Sequence, residues 1–272
     1  MRSEGRSTLC SIGRSYSTVM PLPYPDASSP HRHTGMPYIR PHGNPAVRLY
    51  VDAVIRQYGN PVIRIDGKPS IRKAVSMTLI VSIQNSKGGV AKTTTAMYLA
   101  AALEKNYSAE VWDADPQGTA TEWAEICAEL ETPLPFQVHA ANVATLRKRR
   151  TTADVVLIDT PPGSPDILNA ATERADVVVI PTLAGAIELA RVWPTLDALG
   201  SKPAIVLLTK VNRRTLSYRA ARRVLEEEDV AVFDADIKSS EVLASQANAY
   251  PKKLFQYGDV ALELMDLMKG TE

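Results

Sequence analysis

From Thr78 onward, short apolar runs alternate with longer amphipathic stretches. The runs are "TLIVSI" (78–83), "AEVWDA" (109–114), "DVVLID" (154–159), "DVVVIP" (176–181), "AIVLLT" (204–209) and "VAVFDA" (230–235). Between them lie stretches such as "TTTAMYLAAALEK", "ATEWAEICAELE" and "LSYRAARRVLEEE". Continuous Val/Ile/Leu runs, without polar alternation, belong to strands buried on both faces, and helical connections make such strands parallel. The pattern therefore predicts an α/β fold: a doubly wound, mostly parallel sheet with helices on both faces. A ligand of such a sheet sits at the carboxyl ends of its strands. No internal repeat follows residue 77.

The first 76 residues are a different kind of polypeptide. They hold eleven basic against four acidic residues, a net +7, whereas the remainder holds 20 against 26, a net −6. Nine of the 19 prolines lie there too. Those in "MPLPYPDASSPHRHTGMPYIRPHGNP" forbid helix and central strand alike, while "AVRLYVDAVIRQY" (46–58) has room for one short helix and "PVIRIDGK" for a strand and turn that alone cannot bury much. The expected division is a basic, Pro-rich, disordered extension over 1–76 and one ordered domain over 77–272. An organelle transit peptide, a basic arm touching DNA or a partner, and an extension upstream of a functional start at Met77 all fit this composition. The last is favoured because the first strand begins directly after Met77.

Several classes are disfavoured at once. Two cysteines, Cys10 and Cys127, are too few for a disulfide framework or a four-cysteine metal site and suit a reducing cytosol. No apolar run approaches the roughly 18 residues of a membrane span, so no integral membrane association is expected and the protein is expected in the cytoplasm.

Chemistry concentrates in "QNSKGGVAKTTTAMYLAAAL" (84–103), which joins the first strand to the first long helix. In that setting backbone N–H groups wrap phosphates, and the helix N-terminus adds partial positive charge. The backbone from Gly88 through Gly89, Val90 and Ala91 to Lys92, Thr93 and Thr94 forms the expected cradle. Lys92 reaches the β/γ-phosphates and the Thr93 hydroxyl binds Mg²⁺. Ser86 and Ala91 stand where a phosphate loop has glycine. A β-carbon there costs on the order of 1 kcal/mol if φ must be positive. A strand ending in Asp159, "VVLIDTPPG", puts a carboxylate beside the metal shell, although a strand-end aspartate capping a turn also fits.

With Lys87 five residues before Lys92, "KGGVAKTT" resembles the deviant Walker A box of the ParA/MinD family. "DADPQG" (113–118), "DTPPG" (159–163) and "LLTKVN" (207–212) follow in matching order, so the resemblance spans about 78–268. It implies an ATPase that binds ATP and Mg²⁺ and hydrolyses slowly. Lys87 crosses the interface of a nucleotide-sandwich homodimer to the partner's phosphates. Lys87, Lys92 and Asp115 are then the catalytic set, with Asp115 positioning the attacking water, and Asp113 joins Thr93 and Asp159 near the metal. Asn212 recognises adenine, and Ile237 lies against the base. An Asp-Pro turn capping the following helix remains a second reading of Asp115.

Within the family, the acidic tail "GDVALELMDLMKGTE" argues against a MinD-like membrane helix; its Leu/Met stripe is expected to be core. The wording resembles ParA-type partition proteins, which implies non-specific DNA binding, nucleoid association in the ATP state and a ParB-like centromere-binding adaptor. Arg213, Arg214, Arg219, Arg222 and Arg223 form the candidate DNA surface, with Arg219, Arg222 and Arg223 on one helix face. Pairing of that face with Glu226, Glu227 and Glu228 is the competing reading, and "RKRR" (147–150) is a second basic cluster. A ParA-like ATPase positioning a protein cluster or membrane site, and an ATP-dependent small-molecule synthetase or amidase, are the alternative functions.

Overall fold

A computed structural model describes residues 78–269 of the chain; the expected extension over 1–76 lies outside them. Six strands, β1 (Leu79–Ile83), β2 (Ala109–Asp113), β3 (Gln137–Ala140), β4 (Val155–Asp159), β5 (Val177–Thr182) and β6 (Ala204–Leu208), form one sheet in the order β3-β2-β4-β1-β5-β6. Every pairing is parallel. Nine helices connect and cover the strands among the described residues: α1 (Lys92–Leu103), α2 (Thr119–Glu129), α3 (Val143–Lys148), α4 (Pro165–Arg174), α5 (Ala186–Leu189), α6 (Val192–Leu199), α7 (Leu216–Glu227), α8 (Glu241–Ser245) and α9 (Tyr257–Lys269).

Alternation along each strand explains the unbroken apolar runs. Val81, Ile83, Val111, Leu157 and Val179 point into a core shared with α1 and α9. Ile80, Trp112, Val156 and Ile158 point to the opposite face, against α3 and α4, and Val178, Ile180, Val206 and Leu208 do so against α6 and α7. Helix α1 is buried almost all round, the signature of a central helix. Tyr257, Val260 and Leu264 of α9 are fully buried against the same core. Of the Leu/Met stripe, Leu264 is core and Met265 and Leu267 pack half-buried against it, while Leu262 and Met268 are exposed. No helix among the described residues is long and apolar enough to cross a membrane.

Two expectations of the strand pattern need correction. "VAVFDA" (230–235) is not a strand of the sheet: it touches β6 through one isolated bridge, Val206 with Val232, closed by the Val206 amide on the Ala231 carbonyl at 2.8 Å and the Phe233 amide on the Val206 carbonyl at 3.0 Å. The amides of Asp234 and Ala235 donate instead to the Glu263 carboxylate, at 2.8 Å each, which takes them out of any ladder. Conversely, "QVHA" forms the edge strand β3 without an apolar run, because an edge strand has one neighbour and its two ends are exposed.

The sheet's order places the site. Strand β1 lies beside β4; the chain leaves β1 toward β2 on one side and leaves β4 toward β5 on the other, so a topological switch point opens at the carboxyl ends of these two strands. In register, Asp113, Asp159 and Ile83 align across β2, β4 and β1. Two carboxylate-bearing strand ends therefore lie in a row on one side of the loop that leaves β1.

Candidate functional site

The loop over 84–91 is anchored before it turns. Asn85 is buried; its Nδ2 donates to the Pro181 carbonyl at 2.8 Å, and its Oδ1 accepts the Lys87 amide at 2.9 Å. Gly89 takes φ +76° and Ala91 φ +72°, so the backbone demand that a glycine would meet falls on Ala91. Ser86 stays outside the left-handed region and is an unstrained substitute for the motif's first glycine. Gly88 and Gly89 are exposed and present bare backbone, with no side chain between it and a bound group. The Lys92 side chain is buried, and its Nζ donates to the Lys87 carbonyl at 2.9 Å. Burial pushes its pKa below the usual lysine value, while Asp159 and Asp115 oppose that shift.

Asp159 is fully buried, and neither carboxylate oxygen has a hydrogen-bond partner among the described residues. Burial raises its pKa to about 7; Thr93 and Lys92 pull it down, and Asp113 and Asp115 push it further up. Orphaned buried oxygens are costly unless a cation or proton meets them. Mg²⁺ is commonly held by one or two carboxylates, phosphates and water, and Asp159 beside Thr93 fits that donor set. No cluster of three or more His, Cys, Asp or Glu forms a metal cage among the described residues.

Asp113 is committed elsewhere. Its Oδ2 accepts the Thr121 amide and hydroxyl at 2.8 Å each, and its Oδ1 accepts the Asp115 amide at 3.2 Å. It holds the first turn of α2 and shapes the turn after β2. Asp115 is half-exposed; its Oδ1 accepts the Gln117 amide at 2.9 Å, and its carbonyl accepts the Gly118 amide.

The remaining expected residues separate. Asn212 is exposed, and its Oδ1 accepts the Arg214 amide at 3.0 Å. Ile237 is a core residue, 1% exposed, with its backbone bonded to Leu208 and Val211. The arginine cluster divides as well. Arg213 pairs with the fully buried Asp236, which also accepts the Tyr218 hydroxyl at 2.6 Å. Arg222 donates to the Phe233 carbonyl at 2.6 Å. Arg223 stands 3.9 Å from Glu227, and Arg214, Arg219 and Arg223 are exposed.

Four residues escaped the sequence reading. Glu188 of α5 receives the Lys87 ammonium in an ion pair, and Gly185 makes room for it. Thr209 and Lys210, directly after β6, donate to carbonyls of the phosphate loop. Basic and hydroxyl side chains after an apolar strand were the available signal, but their partners lie far away in sequence.

The description of a matching family model is CobQ/CobB/MinD/ParA nucleotide binding domain, and it covers residues 81–249. The chain is 36% identical over 166 residues to the maintenance of carboxysome distribution protein A of Gloeobacter kilaueensis, covering 59% of this chain and 76% of that relative. It is 27% identical over 192 residues to the protein ParA of Rhizobium radiobacter, covering 66% and 83%. A Cyanothece McdA–ATP complex superposes with a TM-score of 0.57 at 18% identity, covering 72% of this chain and 98% of that one, a likeness of fold. The matched span runs from β1 and its loop past β6, over more than half of the chain, and the chain therefore belongs to the CobQ/CobB/MinD/ParA nucleotide-binding family, as a ParA-type member.

Proposed function

We propose that the chain is an ATPase whose ATP-bound subunits pair, bind DNA without sequence preference and position cargo through a ParB-like adaptor. The observation that carries the reading is Asp159: a buried carboxylate with two unpartnered oxygens, next to a loop that already buries Lys92. A cation together with a phosphate chain would satisfy such an arrangement. Thr93 and Asp159 would hold Mg²⁺, which when bound neutralises developing phosphate charge. Lys92 exchanges the Lys87 carbonyl for phosphate oxygens. Asp115 orients the attacking water, and Asn212 meets the adenine from the rim. Lys87 leaves Glu188 and reaches the nucleotide of a second copy, so pairing and nucleotide state become coupled.

Arg214, Arg219 and Arg223 supply the exposed positive charge for DNA phosphates. In this reading residues 77–272 are the ATPase domain, and removing 1–76 leaves hydrolysis intact.

A second reading of the cargo is favoured by the relative at 36% identity, whose name concerns carboxysome distribution. On that reading the moved object is a protein body, and the adaptor sits on it. Retention of the full chain on unrelated duplex DNA, with ATP or ADP, tests the shared core. ATP-specific, salt-sensitive retention supports it, and equal or absent retention in both refutes it. Stimulation of hydrolysis by a DNA-binding or a body-bound adaptor then divides the two cargoes.

A further inference from the structure

The chain's crossing from β6 toward α7 holds a second grip on the phosphate loop. Lys210 lies in left-handed backbone at φ +51°, a conformation that is strained for an L side chain and suits glycine better. Its Nζ donates to the Gly89 carbonyl at 2.9 Å, across 121 residues of sequence. The preceding Thr209 is buried, and the single proton of its Oγ1 is shared between the Val90 carbonyl at 3.1 Å and the Thr182 carbonyl at 3.2 Å. Two consecutive carbonyls of the loop are thus drawn toward β6. Because a trans peptide carries its C=O and N–H on opposite sides, the amides of Val90 and Ala91 are turned the other way. Strain retained at one residue, in contact with a loop of this kind, points from geometry to function.

We propose that Lys210 is a positioning residue for nucleotide binding: its ammonium holds the Gly89 carbonyl aside so that the loop presents its amides to the phosphates of a nucleoside di- or triphosphate. This rests on the nucleotide reading given above. A neutral donor could make the same hydrogen bond, but an ammonium makes a stronger one and adds positive charge beside a polyanion. Thr209 sets the neighbouring carbonyl from within the core, and the two residues act as one clamp with a buried and an exposed arm. A surface lysine of no consequence would have no reason to stay in the left-handed region, since its replacement by glycine relieves the backbone.

That contrast supplies the test. The full chain and its Lys210→Gly, Lys210→Asn and Lys210→Arg variants are compared by thermal melting and by titration with ADP, a ligand that does not require subunit pairing. Glycine and asparagine both tolerate the backbone, so either keeps the fold. The expected result is melting at or above the wild-type temperature, with ADP bound about tenfold more weakly, the order expected for losing a hydrogen bond to a charged group. Arginine should restore affinity to within about threefold, and the glycine variant's loss should fall on KM for ATP more than on kcat. Wild-type ADP affinity in Lys210→Gly, or failure of arginine to restore it, overturns the proposal. Lys92→Ala separates the two layers. If wild type itself binds no nucleotide, or binds it independently of Lys92, the nucleotide reading falls and takes this inference with it. If only the Lys210 variants are silent, the clamp alone is wrong.

Discussion

Lys87 and Glu188 form an ion pair within one subunit. The hydrogen bond from Lys87 holds the Glu188 carboxyl below its usual pKa. A β-carbon on Gly185 would come within 2.2 Å of Glu188 Oε2, so the glycine is what allows the carboxylate to fold back to the loop. The lysine that the proposed function sends to a partner is therefore already engaged at home. Glu188→Gln should favour ATP-driven pairing, by about two- to fivefold for each pair released, the range of half-exposed ion pairs. Gly185→Ala, by displacing the carboxylate, should act in the same direction, and Lys87→Gln in the opposite one. Concentration-dependent sedimentation with an ATP analogue measures all three. Weaker pairing in Glu188→Gln would show that the carboxylate serves the dimer rather than restraining it.

Ala91 carries φ +72° in the phosphate loop. Ala91→Gly removes a steric cost of about 1–2 kcal/mol, part of which is offset by the greater freedom of glycine in the unfolded chain. The expected outcome is a small rise in melting temperature with equal or tighter ADP binding. Thermal melts and the same titration check it, and lower stability would mean that the loop is not strained there.

Asp159 gives the metal-free protein a pH signature. Its folded pKa of about 7 lies above the ordinary carboxyl value of 3.8, so between those limits the folded state binds a proton that the unfolded chain has released. Stability from this group is present at the acid end and is lost as pH rises toward 7. Without metal, Asp159→Asn should be more stable than wild type at about pH 8, by an order of a few kcal/mol, and the gap should close as pH falls toward about 4. Mg²⁺ with ADP should reverse the order at about pH 8 by stabilising wild type alone. Chemical denaturation in the presence of a chelator is the measurement, and a gap independent of pH would exclude Asp159 as its source.

The arginines should fall into two groups. Arg213→Ala strips the buried Asp236 of its charged partner and is expected to cost about 1–3 kcal/mol of stability. Arg222→Ala, which loses the bond to the Phe233 carbonyl, should cost about 1 kcal/mol. Changing Arg214, Arg219 and Arg223 together to Glu should leave melting within about 0.5 kcal/mol per site and abolish salt-sensitive DNA retention. Unchanged retention in that triple variant would remove the patch from the proposed function.

How far the sequence carried is visible in single elements. Strands β1, β2, β4, β5 and β6 were legible because both of their faces are buried, which leaves continuous apolar runs. The segment "VAVFDA" has the same wording, but Glu263, 28 and 29 residues away, captures its amides, and local pattern carries no trace of that. The polar edge strand β3 was invisible for the converse reason. In the site, the left-handed demand at Ala91 could be read from a motif position. Lys210, Thr209 and Glu188 could not, since each meets the loop only after the sheet's order brings β5 and β6 beside β1. Arg213 and Arg222 looked like surface charge until Asp236 and Phe233 came alongside.

The most direct measurement is the mass in solution of the full chain, by sedimentation, with a non-hydrolysable ATP analogue and with ADP. ATP-dependent sandwiching predicts a dimer with the analogue alone, and a monomer in Lys87→Gln that still binds nucleotide. A wild-type monomer in both nucleotides, or a Lys87→Gln variant that pairs as readily as wild type, would contradict it.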